Sequence, residues 1–449
     1  MSAEPLSGYF VGRARRELRA GRSLLGGMVT AVHRDLNDDF ARASLRSDAF
    51  AGGADFRIET TNRSWVLRGD AEASHIRGTP TSIVAVQTAS NHYFQRPDAT
   101  HLGVNPIATS LTGYSMGLGV QKQAGEHWRG DLAGALTSPG YEVNDLGFSY
   151  RTDRRDVQGS VRYVQNTPGK LWRRWQVSNT LRSESNYAGE PILTVDATSI
   201  SGTTLGYWSG ALTVNRFFRA YDDRLTRGGP IAGRPSWTNV FGSISGDPRW
   251  PVTVEAEAGS TRIDAGGWSQ FYAFELGFKS STWWSLAMTP ELTRGRVPAQ
   301  FVTRVTDASY TPTYGVRYIY APLDQTELGV ETRFNLTFTP KLSLETYVQP
   351  LLSSGDYLDA MQLVVARRFD FTAYTQPVPD LDFNIRSLRG NAVLRWEWRP
   401  GSALYVAWQQ SREDDAPIGD FSFGRDRRAL MGTRPDNIFL IKINYWLNP

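Results

Sequence analysis

A large antiparallel β-barrel that crosses a membrane is the fold class this sequence predicts, and three observations predict it. Between Leu328 and Phe338 the chain alternates without a fault. Leu328, Val330, Thr332, Phe334, Leu336 and Phe338 lie on one side, Gly329, Glu331, Arg333, Asn335 and Thr337 on the other. A period of two is the strand signature. After the turn Thr339-Pro340-Lys341 the pattern repeats, with Leu342, Leu344, Thr346 and Val348 set against Ser343, Glu345, Tyr347 and Gln349. Hairpins of this kind follow one another along the whole chain. Strands of about ten residues that keep charge on the polar face fit a barrel whose apolar face meets lipid and whose charges line the lumen. In a soluble sandwich the apolar face would be the interior instead.

Taken in order, Tyr9–Leu18 and Leu24–Leu36 flank the turn Ala20-Gly21-Arg22, and Phe50–Thr61 and Trp65–Ile76 flank Asn62-Arg63-Ser64. Turn residues then recur at short intervals between Tyr114–Gln123, Trp128–Leu136, Leu146–Tyr150, Val157–Gln165, Leu171–Leu181 and Ile192–Ile200. Beyond them come Trp208–Phe218, Trp237–Ile244, Val252–Ile263, Phe271–Phe278, Trp284–Pro290, Phe301–Val305 and Val316–Tyr320. After the two strands already described, Met361–Arg368, Ala392–Trp398, Leu404–Gln409 and Phe439–Leu447 finish the series, for roughly 20 to 24 strands. Three connections are too long for turns: 78–113, 374–387 and 411–437. Tight turns on one side and long loops on the other is how such barrels are built, which sets the turn Arg399-Pro400-Gly401-Ser402 opposite 411–437. Aromatic pairs beside turns (Trp172 and Trp175, Tyr207 and Trp208, Trp283 and Trp284, Trp396 and Trp398, Tyr445 and Trp446) suit interfacial girdles. The last strand alternates to the chain end, although the final residue is Pro449 and not an aromatic.

Composition agrees with one large closed unit over 1–449. No Pro/Ser-rich linker or break in composition divides the chain. A mean hydropathy of -0.38 is ordinary for a barrel with hydrophilic inward residues. The lack of any apolar run of about 18 residues excludes a bundle of transmembrane helices. With 0 cysteines, disulfide scaffolds, thiolate metal sites and thiol catalysis are excluded. The net charge of +4 is small, and Arg alternates with Asp and Glu along strands without forming a basic module, so nucleic acid is not an expected partner. The segment Met1–Leu6 contains Glu4 and leads straight into strand-like Gly8–Gly12, so no secretory signal is legible there.

The most specific polar pattern is a charge wall on the lumen face: Glu331, Arg333 and Glu345 on neighbouring strands, then Arg395, Glu397 and Arg399 alternating with Leu394, Trp396 and Trp398. Opposite charges on adjacent strands form cross-strand ladders that brace the wall, and an Arg-rich surface also selects anionic or hydroxylated solutes. The connection 78–113 carries the apolar core Ile83-Val84-Ala85-Val86 followed by Tyr93, Phe94 and Leu102, so it is expected to fold against the barrel, partly inside the lumen. There Arg96 and Asp98 engage wall charges as a plug or constriction.

Catalysis has little to work with. Of the five histidines only His92 and His101 sit in a long connection. A Ser/His/Asp set assembled from His92, Asp98 and Ser110 lacks any nucleophile-elbow spacing. Glu413-Asp414-Asp415 lacks the alternation of a calcium loop. No catalytic residue, metal or cofactor is expected. Tyr374, Asp380, Asp382, Phe421 and Phe423 are loop aromatics and carboxylates of the kind that stack and hydrogen-bond sugars.

Several segments resemble one bacterial family. They are Gln95-Arg96-Pro97-Asp98-Ala99-Thr100, Ala108–Tyr114, Ser138-Pro139-Gly140-Tyr141-Glu142-Val143-Asn144-Asp145-Leu146-Gly147-Phe148, Tyr347–Pro350 and Asn391–Ser402. The family is a domain of unknown function expected to form an outer-membrane barrel behind a family-9-type carbohydrate-binding module. The resemblance implies a signal peptide, that module and at least one opening strand upstream of Met1. This chain therefore looks like a truncated member whose barrel is not fully closed. It carries over no catalytic residue. The expectation is an outer-membrane β-barrel of a Gram-negative bacterium, in contact with outer-membrane lipid, that passes or binds a carbohydrate or oligosaccharide. The rivals are an outer-membrane hydrolase working through its loops, and a soluble all-β carbohydrate-binding protein.

Overall fold

The computed structural model describes residues 5–280 and 283–447; Glu4 and Pro449, which bear on the chain ends, lie outside them. From the N-terminus come β1 (Ser7–Leu18), β2 (Ser23–Arg34), β3 (Asp48–Glu59), β4 (Trp65–Arg77), β5 (Ser110–Lys122), β6 (Trp128–Thr137), β7 (Arg154–Gln165), β8 (Trp172–Ser185), β9 (Pro191–Thr204) and β10 (Ser209–Phe217). A small separate pair, β11 (Ala220–Asp222) and β12 (Ala232–Arg234), precedes β13 (Trp237–Ser245), β14 (Val252–Ile263), β15 (Trp268–Ser280), β16 (Trp284–Thr306), β17 (Val316–Thr339) and β18 (Leu342–Tyr357). A side hairpin on β17, β19 (Met361–Leu363) with β20 (Phe371–Ala373), leads to β21 (Phe383–Arg399), β22 (Ser402–Ala416) and β23 (Asp436–Asn444). Apart from β11 and β12 these form one 21-stranded sheet, within the predicted range. Every pairing in it is antiparallel and, the side hairpin aside, each strand lies beside its sequence neighbour. Among the described residues β1 pairs only with β2 and β23 only with β22, so the sheet is not closed.

Register carries the alternation around the sheet. On one face Leu286 of β16 stands opposite Phe334 of β17, which faces Thr346 of β18, then Ala392 of β21, Trp408 of β22 and Phe439 of β23. The same face carries Leu118, Leu132, Val157, Leu181, Ile200, Leu212, Val240 and Phe274, all exposed. Its apolar band runs from Leu328 to Phe338. Ten steps of ~3.3 Å each, inclined ~45° to the barrel axis, span roughly 23 Å of height.

The two ends of the strands differ. At one end the connections are tight, as in the turn between β21 and β22, where Gly401 takes φ +79, a left-handed backbone open to glycine. At the other end lie the long connections, with α1 (Asp39–Ser44) between β2 and β3, α2 (Pro80–Thr88) between β4 and β5, and α3 (Phe423–Gly432) between β22 and β23. The turn Arg399–Ser402 and the β22–β23 connection therefore sit at opposite ends, as the alternation required. The sheet also curls. Arg367, in the connection after β18, donates to Glu190, between β8 and β9, at 2.6 Å, so loops from strands far apart in the sheet meet over the polar face.

Several elements differ from expectation: Leu146–Tyr150 is no strand but part of the connection between β6 and β7, and Met361–Arg368 is strand only over Met361–Leu363. Phe301–Val305 and Val316–Tyr320 are not separate short strands but the far ends of β16 and β17, and bulges at Val297/Gln300 and Phe301/Thr303 interrupt the alternation there. The 374–387 connection already enters β21 at Phe383, and 411–437 contains the end of β22 and the helix α3. Inside 78–113, α2 begins where Thr79 accepts from Ser82 N and Pro80 occupies the first turn, a legible cap-and-proline start.

Candidate functional site

The polar face is organised in rows set by register. One row runs Gly26, Asp55, Asp70, Gly117, Ala135, Asp156, Glu184 across β2 to β8. The next row toward the tight turns runs Arg57, Arg68, Gly119, Ala133, Gln158, Arg182. Carboxylates and guanidiniums thus face the same side in adjacent tiers. Arg182 reaches Asp156 across strands at 2.9 Å, Arg154 also binds Asp156 at 2.6 Å, and Arg13 of β1 reaches Asp55 of β3 at 2.8 Å. Glycine makes this possible. A Cβ on Gly26 would stand 2.6 Å from an Asp55 carboxylate oxygen, and one on Gly117 2.8 Å from Asp70.

Five of the six wall residues predicted from the C-terminal strands, Glu331, Arg333, Glu345, Arg395 and Glu397, share this face. Their ion pairs close along a strand and not across strands as expected: Arg333 donates to Glu331 at 2.7 Å and Arg395 to Glu397 at 2.6 Å. Residues two apart on one strand point the same way, so the flexible side chains meet without help from the neighbour. Tyr347, from β18, adds a cross-strand hydrogen bond to Glu331 at 3.2 Å. Glu345 has no ion-pair partner among the described residues. Arg399 departs from the wall altogether. It lies beside the β21–β22 turn, donating to the Trp446 carbonyl at 3.0 Å and stacking over Tyr445.

The connection 78–109 folds against the polar face. Ile83 and Val86 of α2 pack on Val32, Ala49 and Ile76, and Ile76 shares its strand face with Glu72 and Asp70. Further on, Arg96 is buried among carboxylates from three connections: Asp98 at 3.5 Å, Glu190 at 3.8 Å and Asp223 at 3.6 Å. Asp98 accepts from Ile231 N at 2.8 Å. Arg96 and Asp98 therefore engage neighbouring loops, and not the strand wall expected from the sequence. Arg151 extends the cluster, 2.9 Å from Asp223 and 3.3 Å from Glu184 at the top of β8. Among the described residues Arg96 Nε and Asp223 Oδ1 have no hydrogen-bond partner. Burial would raise Glu190, yet the Asn186 amide and the Arg367 guanidinium hold it below the usual carboxylate range. Burial also lowers Arg224, beside the like charge of Arg151.

His92 is buried, with Nε2 2.9 Å from Glu142 and Nδ1 2.9 Å from the Pro139 carbonyl. His101 faces Asp153 at 2.9 Å. The candidate triad is not assembled, since His92's partners are Glu142, Pro139 and Thr152 and include neither Asp98 nor Ser110. Glu413 and Asp414 alternate on β22 and are held by Arg389 and Arg386. Asp382 accepts from Tyr357 N at 2.8 Å and Asp380 from Asp382 N at 3.1 Å, so both cap backbone. Among the described residues no cluster of His, Asp or Glu has metal-binding geometry.

A cavity of about 290 Å³ lies beneath the 138–153 connection, lined by Arg13, Asp55, Asp70, Glu72, Tyr141 and Phe148. Tyr141 donates to Glu72, and burial together with that carboxylate pushes its hydroxyl pKa up. A neighbouring space of about 560 Å³ contains Asp55, Arg68, Asp70, Arg154, Asp156 and Arg182. Sequence reasoning missed these residues. Their signal was present as alternation in β3 and β4, but glycine and alanine on the partner strands diluted it.

A curled antiparallel sheet with an apolar outer face, a charged inner face and connections folded over one end defines a β-barrel-type protein. The chain belongs to the family of a domain of unknown function, DUF5916, whose model matches residues 35–448. No curated protein matches it. Solved structures with loose likeness include a siderophore receptor, PirA, from Acinetobacter baumannii, at 9% identity and TM-score 0.45, over 99% of this chain and 78% of that one. The copper transporter OprC gives 11% identity and TM-score 0.40 over 98% and 80%. A bacterial polysaccharide outer membrane secretin gives 9% and 0.30 over 68% and 87%. These likenesses are too loose to say anything about cargo.

Proposed function

We propose that the protein is an outer-membrane β-barrel that passes or binds a hydroxylated, carbohydrate-type solute, with the connection 78–109 as a constriction at the loop end. The observation that carries the membrane part is the register itself. One face is apolar over a height close to the ~25 Å band of outer-membrane barrels, while the other carries tiers of carboxylate and guanidinium. Water-filled polar interiors accept such charges; a lipid-facing surface does not.

The solute part rests on the smaller cavity. Ligand pockets run from about 300 Å³ upward, so it suits a ligand of sugar-unit size. Phe148 and Tyr141 offer ring faces for C–H-rich sugar surfaces, and Asp55, Asp70 and Glu72 offer acceptors for hydroxyls. Reconstitution in planar bilayers tests both parts. The expected result is single-channel conductance that added oligosaccharide reduces, with the reduction lost in Phe148→Ala and Asp70→Asn. A chain that stays monomeric in buffer without detergent overturns the membrane reading, and conductance blind to every oligosaccharide offered overturns the solute reading.

A further inference from the structure

Helix α3 stands on the apolar side of the sheet, not over the polar face where α2 lies. It packs against β18, β21 and β22. Its buried Asp426 faces Arg386 Nε at 3.5 Å, and Arg386 occupies the row Leu352–Arg386–Asp414, one step past Pro350–Leu388–Arg412 on the face that carries Phe334. A second arginine of this face, Arg412, donates to the carbonyls of Met431 at 2.7 Å and Thr433 at 3.3 Å, satisfying groups that a helix C-terminus leaves open. Leu430 closes the contact. The helix is thus clamped to the outer surface at the loop-end edge of the apolar band, in the row that Leu328 shares with Leu352, Arg386 and Asp414.

What it presents outward is specific. Phe423 is 54% exposed and Met431 50%. Arg425 is neutralised by Asp420 and Asp426 at 2.9 and 2.8 Å. Arg427, Arg428 and Arg434 are exposed, and among the described residues no carboxylate lies within ion-pair distance of any of them. Below them, Trp408 stacks on Phe439 within the apolar face and donates through Nε1 to Asn437 at 2.9 Å, the posture of a ring at a membrane–water boundary.

Unpaired arginines on an exposed helix, such as Arg427 and Arg428, and just past its end, as Arg434, are ordinarily solvated charges. Here they share a rim with exposed apolar side chains and an interfacial tryptophan, which is the composition of a helix lying on a lipid surface. The guanidinium fork matches phosphate oxygens two at a time. We infer that α3 is a rim clamp that seats the barrel on phosphorylated lipid headgroups of the leaflet at the loop end, with Arg427, Arg428 and Arg434 taking the phosphates and Phe423 and Met431 entering the acyl boundary. The inference rests on the membrane reading above.

The chain has 0 cysteines, and a side chain at Gly424 meets nothing within 4 Å, so Gly424→Cys gives a single spin-label position on α3. The full chain is reconstituted in nanodiscs of phosphatidylcholine alone and of phosphatidylcholine with phosphatidylglycerol. The expected result is a label that becomes less mobile in the anionic discs, with the difference lost when Arg427, Arg428 and Arg434 are all changed to Gln. Equal mobility in both discs, a difference that survives the triple change, or a difference reproduced by inorganic phosphate over phosphatidylcholine discs overturns the clamp. Failure to insert into either disc instead overturns the membrane reading beneath it.

Discussion

The guanidinium of Arg96 lies 3.6 Å from a carboxylate oxygen of Asp223, tying the connection between β4 and β5 to the one between β10 and β13. Both side chains are buried, and Glu190 and Asp98 share the arginine. Removing one partner of a buried ion pair costs about 3–5 kcal/mol, because the charge left behind is uncompensated. Arg96→Ala should therefore loosen the loop-end cap, read as faster proteolysis within 78–109. Arg96→Lys keeps the charge and should restore part of the protection. Equal proteolysis of wild type and Arg96→Ala would show that the apolar packing of α2 holds the connection without this cluster.

If the connection constricts the lumen, deleting Thr81–Asn105 should raise single-channel conductance. Its inward position follows from Ile83 and Val86 packing on Val32, Ala49 and Ile76. Conductance unchanged by the deletion would remove the constriction role while leaving the fold intact.

The two faces can be told apart by the cost of a charge. Phe334 stands between Leu286 and Thr346 on the apolar face, and Asn335 between Ser285 and Glu345 on the polar one. Phe334→Arg and Leu336→Arg should each cost roughly 2–4 kcal/mol near the bilayer midplane, and Asn335→Arg much less. Equal costs in a chemical denaturation series would sink the barrel reading.

What the sequence disclosed follows from what each residue's role requires. The strands around Leu328–Phe338 were legible because both neighbours repeat the same alternation, and register then had little freedom. The far halves of β16 and β17 were not, because their bulges shift the period where the strands leave the apolar band. The charge wall was read in the C-terminal strands, where Arg and Glu alternate with Trp and Leu. The tiers around Asp70 and Arg182 escaped notice because the rows that join them run through Gly117, Gly119, Ala133 and Ala135, residues that show no pattern until pairing places them. The cluster at Arg96 joins residues far apart in the chain, and nothing local to Arg96 names Glu190 or Asp223 as its partners.

Acid should loosen the cap before it touches the sheet. Burial raises Glu142 and Glu190, but His92 and the backbone of Asn144 outweigh this for the first, Asn186 and Arg367 for the second, so both fall below their ordinary value of 4.5. A carboxylate depressed in the folded state adds stability that is complete above the unfolded value and lost as pH falls through the folded one. Amide exchange in 78–109 and 138–153 should therefore stay slow down to about pH 5 and quicken only below about 4.5. Loosening that begins near neutrality would point to a different group.

Charge reversal on the inner face separates a selective wall from a merely braced one. Arg182 and Arg395 both face the inner side, the first against Asp156 at 2.9 Å and the second against Glu397 at 2.6 Å. A fixed lumen charge acts on a passing ion within the ~8 Å over which salt does not yet screen it. Arg182→Glu and Arg395→Glu should each shift reversal potentials toward cations in a salt gradient. Arg399 is the internal control. It sits beside a tight turn and is spent on the Trp446 carbonyl and the Tyr445 ring, so Arg399→Glu should leave selectivity close to wild type. Three equal shifts would mean that the ion responds to net charge alone, and no shift in any of them would reduce the tiers to bracing.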